Sequence, residues 1–347
     1  MVIALVNFRL DPGNIYLKRS GAGNVTAEVF ADALIKSPNG LFWPNGSWDE
    51  RDIKMALAKK DLDNVDCYVI GSSQIMQISS FRERISTEMM SESLINLGVS
   101  GATLEDYLAF SYVLTKKSKK PEKVLFGVSP WALDFGKDMR WQKYKNLYFS
   151  MLSILTVGPA DFVIKKDTWL RPIVNLINPN YFLRSLKQIG KKKNIVLEAP
   201  LFDYSHGGDY PVLLPDAGLV YSSKHILDAD SKRVPIGGTN YKIFDNVPPS
   251  SISGEIIFKK LICLLAQNGI NVTLLMTPYH HNVWMNKKSV TTIALINIES
   301  KVRKIGGEIG VKVIGSYNPD NVGCNPDEFY DQMHPKYTCI STILHEK

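Results

Sequence analysis

Asp66-Cys67-Tyr68-Val69-Ile70-Gly71-Ser72-Ser73-Gln74 is the stretch that decides how this chain folds. Four apolar residues, Cys67 to Ile70, run unbroken into a glycine and two serines. An apolar run of this kind closed by a turn is the pattern of a strand buried on both faces of a parallel sheet. Ligands of open α/β sheets bind beyond the carboxyl ends of such strands, which is where Ser72 and Ser73 stand. Gly71, lacking a Cβ, permits a sharp turn at positive φ. A strand-ending turn with two solvated hydroxyls has the same signature, so a partner group is needed to tell the two apart.

That partner is Asp331-Gln332-Met333-His334-Pro335, near the carboxyl terminus. An aspartate and a histidine three apart can share one side of a turn. The carboxylate can then fix the imidazole tautomer and stabilise its cation, leaving the other ring nitrogen to take a serine proton. An isolated D-x-x-H is common in surface loops; paired with a strand-ending G-x-S in this chain order it points to nucleophilic catalysis.

Outward from the first strand, a second is expected at about residues 93–97, closed by Gly98-Val99-Ser100-Gly101, and a third at 124–128, closed by Ser129-Pro130. Thr103 can cap the helix between them, whose inward positions are Leu104, Leu108 and Tyr112. Before the first strand, Ser47-Trp48-Asp49-Glu50 fits a capping box for a helix to about Lys60, with Ile53, Ala56 and Leu57 inward. Alternating strands and helices imply a parallel sheet with right-handed crossovers. After residue 250 the alternation resumes with a helix (253–267), a strand (272–276) ending at Thr277-Pro278-Tyr279-His280-His281, a helix (289–303) and a last strand (311–314). Adjacent histidines diverge from an extended chain and rarely share a metal, so no zinc site is expected. His280 is a candidate substrate-pocket residue, or a hydrogen-bonded structural one.

Four stretches, Gly71-Ser72-Ser73, Asn96 to Thr103, Phe126-Gly127-Val128-Ser129-Pro130 and Asp331-x-x-His334, resemble the ordered blocks of the SGNH (GDSL-type) hydrolase superfamily. The resemblance spans about residues 45–345 and is nearest to the membrane-associated branch that O-acylates cell-envelope polymers. That branch includes the D-alanyl transfer protein of teichoic acid synthesis and the alginate O-acetylation proteins. It implies a three-layer, flavodoxin-like α/β fold with a central parallel sheet and a largely helical or irregular insertion at about 131–250. Ahead of this domain, which starts near residue 47, lies an N-terminal segment (1–46). Ser73 would be the nucleophile, with Ser72 its rival, and Asp331 and His334 its partners. The oxyanion would be held by the amides of Ser73 and Gly101, with Ser129 as a third donor where the family has asparagine. The same resemblance implies an acylated glycan or polysaccharide substrate, a membrane-bound acyltransferase partner, an extracytoplasmic location and no cofactor. Esterase and transferase share this machinery.

Composition narrows the alternatives. Lys and Arg number 41 against 34 Asp and Glu, a formal charge of +7. The excess gathers partly in Lys116-Lys117-Ser118-Lys119-Lys120 and Lys191-Lys192-Lys193. These read as solvated loop ends or as attraction to anionic lipid or polymer; no nucleic-acid-binding motif accompanies them. Four cysteines do not make a disulfide framework in 347 residues. Cys67 and Cys263 read as buried thiols, whereas Cys324 and Cys339 flank the D-x-x-H and can pair in an oxidising compartment. Met1 to Val6 is apolar, far below the roughly 20 residues a membrane span needs; it is an edge strand or the tail of an anchor. In the middle region, Trp169 to Ile177 forms an apolar surface expected to cap the sheet, with a membrane-facing helix as the alternative, and Asp203-Tyr204-Ser205-His206-Gly207-Gly208-Asp209 is a polar loop, either solvated or suited to sugar hydroxyls. An α/β-hydrolase elbow would need glycine where Ile75 stands. A non-catalytic scaffold or glycan-binding protein on the same fold is the remaining alternative.

Overall fold

The computed structural model describes residues 2–10, 26–43, 50–82, 93–134, 140–155, 176–186, 198–199, 208–230, 234–236 and 252–345. The candidate cap at 169–174, the Lys191–Lys193 run, Ser47 of the expected capping box and most of the Asp203–Asp209 loop lie outside them.

In chain order the elements are α1 (Val2–Leu10), α2 (Ala27–Lys36), β1 (Leu41–Phe42), α3 (Glu50–Lys59), β2 (Cys67–Gly71), β3 (Leu94–Asn96), α4 (Leu104–Thr115), β4 (Lys123–Gly127) and α5 (Lys145–Ile154). There follow α6 (Pro179–Leu186), β5 (Val212–Leu213), β6 (Leu219–Val220), α7 (Ser223–Asp230), α8 (Ile252–Gln267), β7 (Asn271–Met276), α9 (His281–Trp284), α10 (Val290–Ile309), β8 (Lys312–Gly315) and α11 (Tyr337–His345). The protein is mixed α/β, with a five-stranded, all-parallel sheet in the order β3-β2-β4-β7-β8 flanked by helices. From β2 the chain steps to one side for β3 and then crosses to the other for β4. The direction of winding reverses at β2, the place beside which ligands of open α/β sheets bind.

Every residue of β2 is buried, as its unbroken apolar run requires. One helical layer packs Leu104, Tyr107, Leu108, Phe258, Leu261 and Leu265 against the sheet; Ile340, Ile343 and Leu344 of α11 pack with Cys67, Val69 and Leu125 in a second cluster. Gly71 departs from expectation. It is not among the positive-φ glycines; a Cβ there would come within 2.7 Å of the Gly127 carbonyl and 2.8 Å of Ile75 Cγ1. The glycine is required because Ile75 folds back over the strand end.

Other departures are local. The apolar amino terminus is helical, not an edge strand, and its Asn7 side chain donates to the carbonyls of Leu176 and Asn178 ahead of α6. Among the described residues no helix is long and apolar enough to cross a membrane. A second sheet, β1-β5-β6, is antiparallel and built from two-residue strands. Cys263 is only partly buried, unlike Cys67. Cys324 and Cys339 form a disulfide with Cα atoms 5.1 Å apart.

Candidate active site

Ser73 begins a single 3-10 turn, Ser73–Ile75, directly after β2. Ser72 caps that turn, its Oγ accepting from the Gln74 amide at 3.4 Å. Only Ser73 is partly exposed. Ser72 is fully buried, and its hydroxyl lies 2.5 Å from Ser129 Oγ. The geometry therefore separates the two candidate nucleophiles.

The D-x-x-H segment approaches from the opposite end of the chain as the tip of a small hairpin. Phe329 bridges Pro335, the Tyr330 amide donates to the His334 carbonyl (2.9 Å), and the Lys336 amide donates to the Glu328 carbonyl (2.7 Å). Asp331 Oδ1 accepts the amides of Met333 and His334 at 2.8 and 2.9 Å, an Asx-type turn that fixes the carboxylate. Its Oδ2 lies 2.8 Å from His334 Nδ1, and His334 Nε2 lies 2.8 Å from Ser73 Oγ. With Nδ1 protonated toward the carboxylate, Nε2 is left to accept the Ser73 hydroxyl proton. Burial pulls the Asp331 carboxyl upward, but the His334 hydrogen bond and charge and the two amides outweigh it and hold it below the usual carboxylate range.

Two glutamines, not foreseen from the sequence, join the halves. Gln74 Nε2 donates to the Met333 carbonyl (3.0 Å) and Gln77 Nε2 to the Pro335 carbonyl (2.8 Å). Tyr330 adds its hydroxyl to Gln77 Oε1 at 3.0 Å. The only signal for them was their place in the turn after Ser73; nothing in spacing reveals a partner that is a distant backbone carbonyl.

The loop after β3 lies beside the end of β2, because the Val99 amide donates to the Gly71 carbonyl at 3.0 Å. Gly101 has a left-handed φ of 60°, where a side chain would be strained. Asn96 does not reach the site: its side chain is buried, donating to the carbonyls of Ile75 and Ile78 and accepting the Gly98 amide. Ser129, expected as a third oxyanion donor, does not turn its hydroxyl to the site either. Its hydroxyl is buried between Ser72 Oγ and Gln74 Oε1 (2.9 Å), so that donor is spent inside the protein.

His280 stands on the far side of the hairpin. Its amide donates to the Gln332 carbonyl (3.0 Å), and its Nδ1 accepts the Asn282 amide (3.0 Å), capping α9. Burial, with His281 nearby, lowers its pKa. The ring lines a cavity of about 380 Å³ together with Ala229, Val234, Asp327, Phe329, Tyr330 and Lys336. The cavity wall and the His334 imidazole thus belong to one hairpin, although neither Ser73 nor His334 lines the cavity itself.

No protein-family model matches this chain, and no curated protein matches it.

Proposed function

We propose that this protein carries out serine-dependent acyl-ester chemistry through an acyl-enzyme on Ser73, as an O-acyltransferase or esterase of the SGNH type. The observation that carries the reading is the continuous hydrogen-bonded chain Ser73 Oγ, His334 Nε2, His334 Nδ1, Asp331 Oδ2, made from residues far apart in sequence. Nucleophile, base and orienting carboxylate in mutual contact at the carboxyl edge of a parallel sheet are the arrangement from which acyl transfer is recognised. The strand order, with winding that reverses at β2, supports a three-layer flavodoxin-like fold.

Ser73 Oγ attacks the ester carbonyl carbon while His334 Nε2 takes its proton, and Asp331 stabilises the imidazolium. The carbonyl oxygen, now anionic, is held by the backbone amides of Ser73 and Gly101. As the carbonyl re-forms, the bond to the alcohol oxygen breaks and His334 returns the proton to it. The acyl group on Ser73 then passes to water or to a sugar hydroxyl, with His334 as base again. A glycan acceptor and a membrane-bound acyl-donating partner follow from the resemblance to the envelope O-acylation branch. The disulfide Cys324–Cys339 supports an oxidising, extracytoplasmic compartment.

A fluorophosphonate probe tests the reading. Wild-type protein is expected to be labelled stoichiometrically at Ser73, with labelling lost in Ser73→Ala and His334→Ala. Labelling at another residue refutes the assignment of Ser73, and no labelling refutes the reading and leaves a non-catalytic scaffold. Acyl release from an activated ester, followed with and without a glycan acceptor, then separates the two outcomes; partitioning that ignores the acceptor excludes transfer.

A further inference from the structure

We propose that Glu50 and Arg140 are positioning residues that aim the Gly101 amide N–H at the oxyanion formed on Ser73. The inference rests on the acyl-transfer reading above and adds to it residues outside all four sequence blocks.

The loop after β3 is held by charged side chains from outside the sheet. Glu50, the first residue of α3, accepts both the Ser100 amide and, at 3.0 Å, the Ser100 hydroxyl. Arg140 Nη2 donates to the Ser100 carbonyl at 2.7 Å, and Nη1 lies 3.9 Å from Glu50. Arg51, fixed by two bonds of 2.8 and 3.0 Å to Asp106, places Nη2 at 3.5 Å from the Gly101 carbonyl. Lys54, one turn along α3, donates to the carbonyls of Asn96 and Ala217 at 2.6 and 2.5 Å. Three side chains of α3, Glu50, Arg51 and Lys54, therefore hold residues within 96–101.

The direction of the Gly101 N–H follows from peptide geometry. In a trans peptide the C=O of one residue and the N–H of the next point to opposite sides, and the described residues include no cis bond. With the Ser100 carbonyl drawn to Arg140, the Gly101 N–H faces the other way. The amides of Val99, Ser100 and Ala102 are taken by Gly71, Glu50 and the Val99 carbonyl. Among the described residues, the Gly101 N–H alone in this turn donates to none. An oxyanion donor must be held in place before the charge develops and must be free to meet it.

The cost of the arrangement points the same way. Arg51, Lys54 and Asp106 are buried, and removing charges from water is seldom repaid by pairing them. Burial raises the Glu50 carboxyl above its usual range and drives the Lys54 ammonium down to about 7. Apolar packing would hold α3 to the loop without this penalty, but it offers no hydrogen bonds to set the orientation of individual peptides.

The test compares Glu50→Ala with Glu50→Gln on protein whose folded Ser73 has been counted by phosphonate titration. Loss of one oxyanion donor costs about 10²–10³ in turnover. Glu50→Ala is therefore expected to lose about 10²-fold in kcat on an activated ester, with KM little changed and phosphonate labelling slowed in parallel. Glu50→Gln keeps an acceptor for the Ser100 amide and recovers most of the loss, which a merely structural role does not predict. Should Glu50→Ala not fold, Arg140→Ala, at a side chain 34% exposed, carries the same expectation. An active wild type whose folded variants keep their kcat overturns this inference alone. A wild type that neither labels nor turns over overturns the functional reading, and this inference with it.

Discussion

Opening the Cys324–Cys339 disulfide is the perturbation whose size can be worked most directly. The two cysteines are 15 positions apart, and the loop they close contains both Asp331 and His334. In the chain-entropy account, a closed loop of this length removes about 3 kcal/mol of freedom from the unfolded state. With roughly 2 cal/mol/K of unfolding entropy per residue over the chain, that loss lowers Tm by about 4 °C. The assay is thermal unfolding of wild type, of wild type in reductant and of Cys324→Ser/Cys339→Ser, with thiol counts beside each. Oxidised protein should expose two titratable thiols on unfolding, those of Cys67 and Cys263. Below the transition, labelling of Ser73 should slow only modestly, because the hairpin keeps its own bridge and its bonds to Gln74 and Gln77. An unchanged Tm in the double variant refutes the reasoning, as do four free thiols in protein made under oxidising conditions.

Asp331→Asn places an amide donor against Nδ1, favours the wrong tautomer, and should lower turnover by about 10⁴; steady-state kinetics on titrated protein checks this, and a loss below tenfold refutes the assigned role. Ser129→Ala should leave kcat within a few-fold, against the 10²–10³ expected of an oxyanion donor, while lowering stability by about 1–3 kcal/mol because buried partners lose a bond. Lys54 gives a pH signature. Its amine is neutral above about 7 in the folded protein, whereas the unfolded chain keeps the proton to about 10.4. The unfolded state binds more protons across that window, so stability should rise from pH 7 toward 10, with the full burial cost borne below it. Glu50 and Asp216 face this ammonium and oppose its shift. Denaturant titrations of wild type and Lys54→Met against pH test it; an equal rise in both refutes it.

The parallel sheet was legible because buried strands leave a local mark. Cys67 to Ile70 is a continuous apolar run and Val272 to Met276 is one broken only by Thr273, and the observed strands Cys67–Gly71 and Asn271–Met276 differ from them by one residue. Ser73, Asp331 and His334 were legible as residue types in order, and the structure brings them into contact. The small antiparallel sheet was not, since two-residue strands such as Leu41–Phe42 and Val212–Leu213 are too short to show a period. Polar residues bonded to distant backbone were equally silent. Glu50 fits a capping box by spacing, yet its carboxylate goes to Ser100, half a hundred positions on. Ser129 stands where the SGNH-like pattern would have asparagine, but its short side chain finds its partners in the core, at Ser72 and Gln74.

The grip of α3 on residues 96–101 changes what counts as the smallest working unit. A shortened polypeptide beginning at β2 would retain Ser73, His334 and Asp331, and every strand of the parallel sheet. It would have lost Glu50, Arg51 and Lys54, and with them the side chains that hold the turn after β3. Minimal fragments of this protein should therefore be cut upstream of residue 50, even though the sheet and the Ser73–His334–Asp331 chain begin later.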